Sequence, residues 1–238
     1  MARLSGDGFS GSLGNIVFYK VNGETYLRLK PGKGSQKRKK RKNPNTRSFG
    51  QVSTHTSPIA ALLKKHISFS LGRYGYNSMR GWILKQYKAY CADTTWPLEA
   101  QGSHMCQLNK KADLRNFLFL PISVIDMGNG EIKVSIPAFS PLKSMKAPAG
   151  TRQVQLNLTV ITSPFGEKTG APLDYHQRYS FNYTNSQLAP VDMLFSVSHP
   201  DNNIAIVVAS LEFIAAAGKV LEQQEWLPAA ILAMGRLQ

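Results

Sequence analysis

The residues with the clearest potential for metal or acid–base chemistry are two pairs of His and Asp in the C-terminal half. Asp174 and His176 lie two positions apart, with one residue between them, and His199 and Asp201 follow later with the same spacing. Side chains at i and i+2 of a strand share a face, so the first pair would lie side by side, and the second would approach from a loop. This set of N and O donors suits a transition metal. The favoured alternative is that all four face water at the ends of strands, so no metal or other cofactor is expected.

Signatures of covalent catalysis and phosphate binding are missing from the sequence. It contains no G-x-S-x-G and no cysteine signature of a nucleophile. The Gly-rich stretch 6–14 lacks the Lys-Ser/Thr of a P-loop and precedes a predicted strand, so it cannot offer a helix N-terminus to phosphate. The 14 acidic residues are scattered singly. We therefore predict a protein that is not an enzyme.

Positive charge is concentrated in one window. Residues 25–92 hold 16 of the 29 Lys and Arg and no Asp or Glu, whereas the rest holds 13 basic and 14 acidic residues. Within that window, six consecutive basic residues occupy 37–42. Such a region attracts a polyanion, which can be nucleic acid, an anionic membrane face or an acidic protein surface. A nuclear-localisation signal is a further interpretation of the run.

The predicted partner-binding residues are the cations of this window. They comprise the basic segment and the polar faces of two predicted helices: Lys33, Lys37, Arg38, Lys39, Lys40, Arg41, Lys42, Arg47, Lys64, Lys65, Arg80, Lys85 and Lys88. Aromatic residues of the helices occur at apolar positions, which favours a role in the core over stacking on bases. No zinc spacing or RNA-recognition motif accompanies the run.

The stretch 14–32 is predicted to form a β-hairpin around Asn22-Gly23, a strong two-residue turn signal. Both alternations are largely apolar, and an isolated hairpin is only marginally stable in water. We therefore expect it to pair with a sheet, a helix or another subunit. The predicted assembly residues are Ile16, Phe18, Tyr19, Asn22, Gly23 and Tyr26.

The periodicity of the chain predicts an α+β fold that is mostly β. Amphipathic helices are expected over 46–67, with Pro58 producing a kink or restart, and over 78–91. From about residue 113 the period becomes two, which is typical of an antiparallel sandwich of immunoglobulin-like size. The stretch 228–234 fits a strand or a helix equally well. The predicted division is an N-terminal arm and hairpin at 1–32, a basic linker at 33–44, a helical region with connector at 45–111 and a sandwich at 112–238.

The N-terminal quarter, about residues 11–67, resembles an uncharacterised family frequent in Bacteroidota. The resemblance is carried by a Gly-x-x-Gly-Asn hairpin, an Arg before Pro and a following helix, at Gly11, Gly14, Asn15, Ile16, Val17, Tyr19, Gly23, Arg28, Pro31, Thr46, Phe49 and Gln51. The chain departs from the family pattern in Leu29-Lys30 before Pro31, in a more basic linker and in the position of Gln51. The resemblance implies a cytoplasmic bacterial protein with a β-rich C-terminal half, and it implies no activity.

The expected function is structural. Two cysteines, no secretory h-region and no apolar run of bilayer length favour a soluble cytoplasmic protein. The leading hypothesis is self-assembly through β-strand pairing, with a basic face docking on an acidic partner. The apolar hairpin supports it, as does the stretch 204–214, which is apolar at both alternations and hazardous on an exposed edge. The alternative is a nucleic-acid-binding protein that uses the basic segment 33–47 and the basic faces of the two helices.

Overall fold

The fold is mostly β, with two long helices and three antiparallel sheets. It was obtained as a computed structural model, which describes residues 3–5, 8–21, 24–30, 45–92, 96–98, 105–164, 171–198, 203–216 and 218–237. The chain divides into two compact units, Met1–Pro44 and Asn45–Gln238. The expectation of a mostly β protein with antiparallel sheets is confirmed. The two units differ from the predicted four-part division, because the helices belong to the same unit as the C-terminal strands.

The first unit is a four-stranded meander. Its strands are β1 (Arg3–Ser5), β2 (Gly8–Leu13), β3 (Ile16–Val21) and β4 (Glu24–Leu29), and each pairs with the next along the chain. Gly14 has a φ of +56° in the turn between β2 and β3, a conformation that glycine adopts without steric cost. The predicted hairpin is thus part of a larger sheet. Its turn residues Asn22 and Gly23 lie outside the described residues.

The second unit is built from three layers. Helices α1 (Asn45–Leu63) and α2 (Gly72–Ala92) form one of them. The middle layer is a five-stranded sheet, in the order β5 (Cys106–Gln107), β12 (Ala229–Arg236), β11 (Asn203–Ala215), β8 (Thr151–Pro164) and β9 (Leu173–Asn182). The third layer is a three-stranded sheet, in the order β10 (Val191–Ser196), β7 (Glu131–Ile136) and β6 (Ser123–Gly128), with the short helix α3 (Pro141–Ser144) beside it in sequence.

The five-stranded sheet is buried on both faces, which explains the two apolar alternations of residues 204–214. Ile204, Ile206 and Val208 pack against the helices in one hydrophobic core, here called the sheet–helix core. Val207 and Phe213 pack against the three-stranded sheet in the other, the sheet–sheet core. The strand β11 is therefore central, paired with β8 on one side and β12 on the other. Its apolar residues would favour aggregation on an exposed edge, but β11 is not an edge strand.

Helix cover also changes the environment of β8. In this strand Gln153, Gln155, Asn157 and Thr159 alternate with apolar residues, a pattern that predicts a solvent-facing side, yet Asn157 and Thr159 are each only 3% exposed. The alternation of apolar and polar residues along β8 was predicted correctly, since Val154, Leu156, Leu158 and Val160 all lie in the sheet–sheet core. The expectation of a solvated face was wrong, because α1 packs over this side of β8.

Helix α1 runs continuously from Asn45 to Leu63 with Pro58 inside it. Pro58 is exposed, and the helix has buried apolar residues both before it, at Val52, and after it, at Ile59 and Leu63. The predicted restart is therefore not observed. The ambiguous stretch 228–234 is a strand, because its residues contribute to both cores of the central sheet.

A glycine in β12 allows an additional chain segment to pack against the sheet. A Cβ at Gly235 would lie 2.3 Å from the Cα of Leu98 and 2.4 Å from the carbonyl oxygen of Pro97. The segment 96–98 is held there by a hydrogen bond from the Arg236 N–H to the Trp96 carbonyl (2.9 Å). Both groups that the Cβ would meet are backbone atoms, so a side chain cannot be accommodated by a rotamer change.

We predict that Gly235→Ala destabilises the protein by about 1–3 kcal/mol, because it forces the 96–98 segment off β12. The matched control is Gly81→Ala on α2, where a Cβ meets nothing within 4 Å. The control should stabilise the protein by about 0.5–1 kcal/mol through helix propensity. Urea unfolding followed by circular dichroism measures both. Equal effects of the two substitutions would show that the close approach at Gly235 carries no energetic weight.

Candidate functional site

One face of the N-terminal sheet is aliphatic and exposed. Residues that are paired across antiparallel strands share a face, and Leu13 pairs with Ile16, Ile16 with Leu29, and Phe18 with Leu27. These five residues define the aliphatic face. Leu13 is 66% exposed, Leu27 63% and Leu29 75%. The concentration of exposed aliphatic side chains on one small sheet is unusual for a protein surface and typical of an interaction site.

The opposite face of the same sheet combines aromatic rings with cations and is here called the aromatic face. Tyr19 and Tyr26 are directly paired, and their rings stack with centroids 5.8 Å apart and an interplanar angle of 26°. The Arg28 guanidinium lies over the Tyr19 ring at 5.7 Å. The Tyr26 hydroxyl donates to the Glu24 carboxylate (2.7 Å), and this hydrogen bond raises the pKa of Tyr26. Both tyrosines are about 40% exposed.

The strand β4 forms the longer of the two edges of this sheet. All six of its residues are exposed. The Lys30 N–H donates to the Asn15 carbonyl (2.6 Å), and hydrogen-bonded pairs alternate along antiparallel strands. Thr25, Leu27 and Leu29 therefore direct their backbone groups to the outer edge. Within the described residues, no strand pairs with that edge.

The predicted assembly residues thus fall into two groups. Ile16 and Phe18 belong to the aliphatic face, and Tyr19 and Tyr26 to the aromatic face. Sequence reasoning missed Leu13, Leu27 and Leu29, although the alternation of β4 around Tyr26 was a signal that could have found the last two. It also missed β1 and β2 as strands of the sheet.

Most of the predicted cationic site lies outside the described residues, including Lys33 and the run Lys37–Lys42. Arg47 belongs to α1. Lys64, Lys65, Lys85 and Lys88 are exposed, the first pair just after α1 and the second on α2. Arg80 is half-buried, with its guanidinium over the Tyr76 ring at 5.8 Å. Phe69, Tyr76 and Trp82 pack against the sheet–helix core, as their apolar positions suggested, whereas Tyr74, for which the same was expected, is 48% exposed.

Asp174 and His176 lie on the same face of β9, where they meet residues from the end of α1. His66 binds Asp174 through Nε2 and Oδ2 (2.5 Å), and the Lys65 ammonium lies 3.7 Å from the same carboxylate. The ring of His66 stacks on that of His176, with centroids 4.4 Å apart. The hydrogen bond from His66, followed by the charge of Lys65, lowers the pKa of Asp174.

The partners of His176 fix its tautomer. The Arg178 Nε–H can only donate, and it does so to His176 Nε2 (3.0 Å). His176 Nε2 must therefore be unprotonated, which leaves Nδ1–H to donate to the Thr159 hydroxyl (3.1 Å). Burial first, and then the nearby His66 and Arg178, lower the pKa of His176. The ring is thus held neutral between an arginine and a threonine.

A second polar contact joins the helical layer to the sheet beside this cluster. The Ser68 hydroxyl donates to the Glu212 carboxylate on β11, and Gln155 bridges Glu212 (3.3 Å) and Asn157 (2.8 Å). The polar residues of β8, β9 and β11 therefore fasten the end of the helical layer to the sheet. Sequence reasoning missed His66, which lies 108 residues from Asp174. Only its position directly after Lys64-Lys65 distinguished it.

The metal site considered from the sequence is not assembled among the described residues. They contain no group of three or more His, Cys, Asp or Glu side chains placed to hold a metal ion. The rings of His66 and His176 lie face to face, so their nitrogen atoms do not converge on one point. His199 and Asp201 fall outside the described residues.

No protein-family model, no curated protein and no solved structure matches this chain. None of the described helices has the length and apolar character needed to span a membrane.

The histidine cluster predicts a loss of stability in mild acid. A His whose folded pKa lies below its unfolded value of about 6.5 is protonated more readily in the unfolded chain, so stability falls as pH drops through that value. His176 satisfies this condition, and so does His55, whose pKa is lowered by burial. We expect the urea midpoint of the wild-type protein to fall between pH 7.5 and pH 5, above the range in which Asp174 titrates.

The expected fall should be smaller in His176→Gln, since Gln keeps an acceptor for Arg178 and a donor for Thr159 but does not titrate. His55→Gln should remove the part that comes from His55, and the double variant should show a smaller fall than either single variant. Urea unfolding of the four proteins at several pH values gives the comparison. A His176→Gln curve parallel to that of the wild type would contradict the assigned role of His176.

Proposed function

We propose that this protein is a non-catalytic structural or interaction protein that assembles with copies of itself through its N-terminal sheet. The observation that carries the proposal is β4, whose six residues are all exposed although Leu27 and Leu29 are among them. An exposed edge strand with aliphatic side chains is a template for pairing with another chain. A second copy of the same strand is the occupant that we infer.

A single-layer sheet needs a partner for physical reasons. Three or more strands are stable when a hydrophobic face is covered, and the aliphatic face has three leucines more than 60% exposed. A twofold arrangement would pair β4 of one copy with β4 of the next in antiparallel fashion, through the outward backbone groups of Thr25, Leu27 and Leu29. This arrangement leaves both aliphatic faces on the same side of the extended sheet, so a second pair of copies stacked face to face on it would supply the buried area.

Of the two stretches that suggested self-assembly in the sequence, the structure leaves one as support. The strand β11 is central and covered on both faces, so residues 204–214 no longer argue for it. The N-terminal sheet alone carries the proposal. It is also the part of the chain that shares the family resemblance, and a bacterial, cytoplasmic setting remains part of the proposal. Cys106, a buried free cysteine whose pKa is raised by burial, is compatible with a reducing compartment.

We also propose that the basic surface docks on an acidic partner. Lys64, Lys65, Lys85 and Lys88 are exposed cations on or beside the two helices. No acidic residue occurs between Glu24 and Asp93 to neutralise them locally. An acidic protein surface would satisfy this charge, and nucleic acid is the alternative occupant.

We predict that the wild-type protein elutes as a species larger than a monomer in size-exclusion chromatography with light scattering, at both ~0.1 M and ~1 M salt. Thr25→Pro should lower the mass, because it removes an outward N–H from the edge without breaking the pairing with β3. Leu27→Asp should lower it by placing a charge on the aliphatic face. The matched control is Leu194→Asp on the edge strand β10, where the leucine is 53% exposed. This control should leave the mass unchanged.

A monomeric wild-type protein would refute the proposal. So would a large species that dissociates at ~1 M salt while its 260/280 nm absorbance ratio falls, since that behaviour indicates assembly on nucleic acid by counterion release. A loss of mass with Leu27→Asp alone would place the contact on the aliphatic face and not on the β4 edge.

A further inference from the structure

We propose that the aromatic face of the N-terminal sheet binds single-stranded nucleic acid, with bases stacked on Tyr19 and Tyr26 and phosphates contacted by Arg28 and Lys30. This inference is independent of assembly, which uses the β4 edge and the opposite face of the sheet. It also differs from the nucleic-acid site suggested by the sequence, which consisted of the basic segment and the helices.

The two faces of this sheet differ in the kind of surface each fits. The aliphatic face carries Leu13, Ile16, Phe18, Leu27 and Leu29, side chains that gain most when they are buried against protein. The aromatic face carries two planar rings that stack on each other and are each about 40% exposed. Planar aromatic side chains on an exposed sheet are the means by which several nucleic-acid-binding domains hold unpaired bases.

The geometry of the tyrosines suits this use. They are cross-strand neighbours with stacked rings, and the hydrogen bond from the Tyr26 hydroxyl to Glu24 fixes one of the rings in orientation. Arg28 covers part of the Tyr19 ring by a cation–π contact. A base that stacks on this row meets a surface that is already ordered, so little side-chain entropy is lost on binding.

The charge of the aromatic face supports an anionic ligand, because Arg28 and Lys30 outnumber Glu24, the acidic residue on the same face. Side chains alternate along β4 and its continuation, which puts Arg28 and Lys30 on the side of Tyr26. In sequence, Lys30 is followed by Lys33 and the run Lys37–Lys42, with no acidic residue before Asp93. The rings favour nucleic acid over an acidic protein surface, because every base offers a π-face to stack on them.

Single strands are favoured over duplexes for a steric reason. In a duplex the base faces are stacked on one another, and a sheet face cannot reach them. A duplex would therefore meet only the cations. The preference for single strands is thus the property that separates stacking on the tyrosines from general attraction to a basic segment.

The test is fluorescence anisotropy of the full chain with a labelled oligo-thymidine strand of about 12 nucleotides, a length within the range of small single-strand sites. A duplex of the same length is measured in parallel, and both are titrated at ~0.1 M and ~0.3 M salt. The single strand should bind at least about fivefold more tightly than the duplex, from the contribution of one or two stacked bases.

Substitution of the rings should remove this preference. The double variant Tyr19→Leu/Tyr26→Leu keeps apolar side chains on the strands and should weaken single-strand binding at least about fivefold, with the salt dependence unchanged. Tyr19→Phe/Tyr26→Phe keeps the rings and should retain the preference for the single strand over the duplex, although it loses the hydrogen bond that orients Tyr26. The matched control is Tyr74→Leu, an exposed tyrosine (48%) on α2 of the second unit, which should have no effect.

Equal affinity for the two forms of DNA, with no effect of the leucine variant, would overturn the proposal and assign binding to the basic segment alone. Absence of binding at ~0.1 M salt would overturn it as well. If circular dichroism shows that the leucine variant loses strand structure, ultraviolet crosslinking of the wild-type protein to a halogenated single strand decides. Crosslinks at Tyr19 or Tyr26 are expected, and crosslinks confined to other peptides would contradict the proposal.

Discussion

The architecture of the second unit depends on the burial of one strand on both faces. Strand β11 is paired with β8 and β12 and has apolar side chains at both alternations, so each of its faces needs its own cover. The three-stranded sheet supplies one cover, and α1 with α2 supplies the other. Each large aliphatic side chain buried in this way contributes about 1.5–3 kcal/mol, which is lost if either layer detaches. The helices are therefore an integral part of the C-terminal fold.

The same constraint explains how far the sequence could be interpreted. Local signals predicted correctly a mostly β chain with antiparallel sheets, and the turn at Gly128-Asn129-Gly130, where all three residues have positive φ. They predicted the second helix over 78–91, whereas α2 begins at Gly72. The sequence could not predict that a helix covers the polar side of β8. Asn157 and Thr159 are polar residues at alternating positions, as in a solvent-facing strand, but α1 packs over them. Their partners come from the same sheet: Thr159 bonds His176 on the neighbouring strand β9, and Asn157 accepts a hydrogen bond from Gln155 on its own strand.

The candidate sites show a similar division between local and distant information. Asp174 and His176 were recognisable as a pair because they are two residues apart, but their third partner, His66, comes from a different layer. The N-terminal surfaces were partly predictable, since alternation assigns the faces of a strand. What alternation did not give was the number of strands: β1 and β2 extend the hairpin into a four-stranded sheet, and β2 adds Leu13 to the aliphatic face.

The order of the strands in the central sheet has a consequence for synthesis of the protein. The last strand of the chain, β12, lies between β5 and β11 and contributes Ile231 and Met234 to the core beneath the helices. A ribosome makes α2 about ten seconds before β12, at elongation rates of roughly 5–20 residues per second. During that interval β8 and β11 emerge, but the helices still lack β12, one of the strands on which they pack. Until β12 emerges, part of the apolar surface of both helices stays uncovered in a strongly basic region of the nascent chain, beside the negatively charged ribosome.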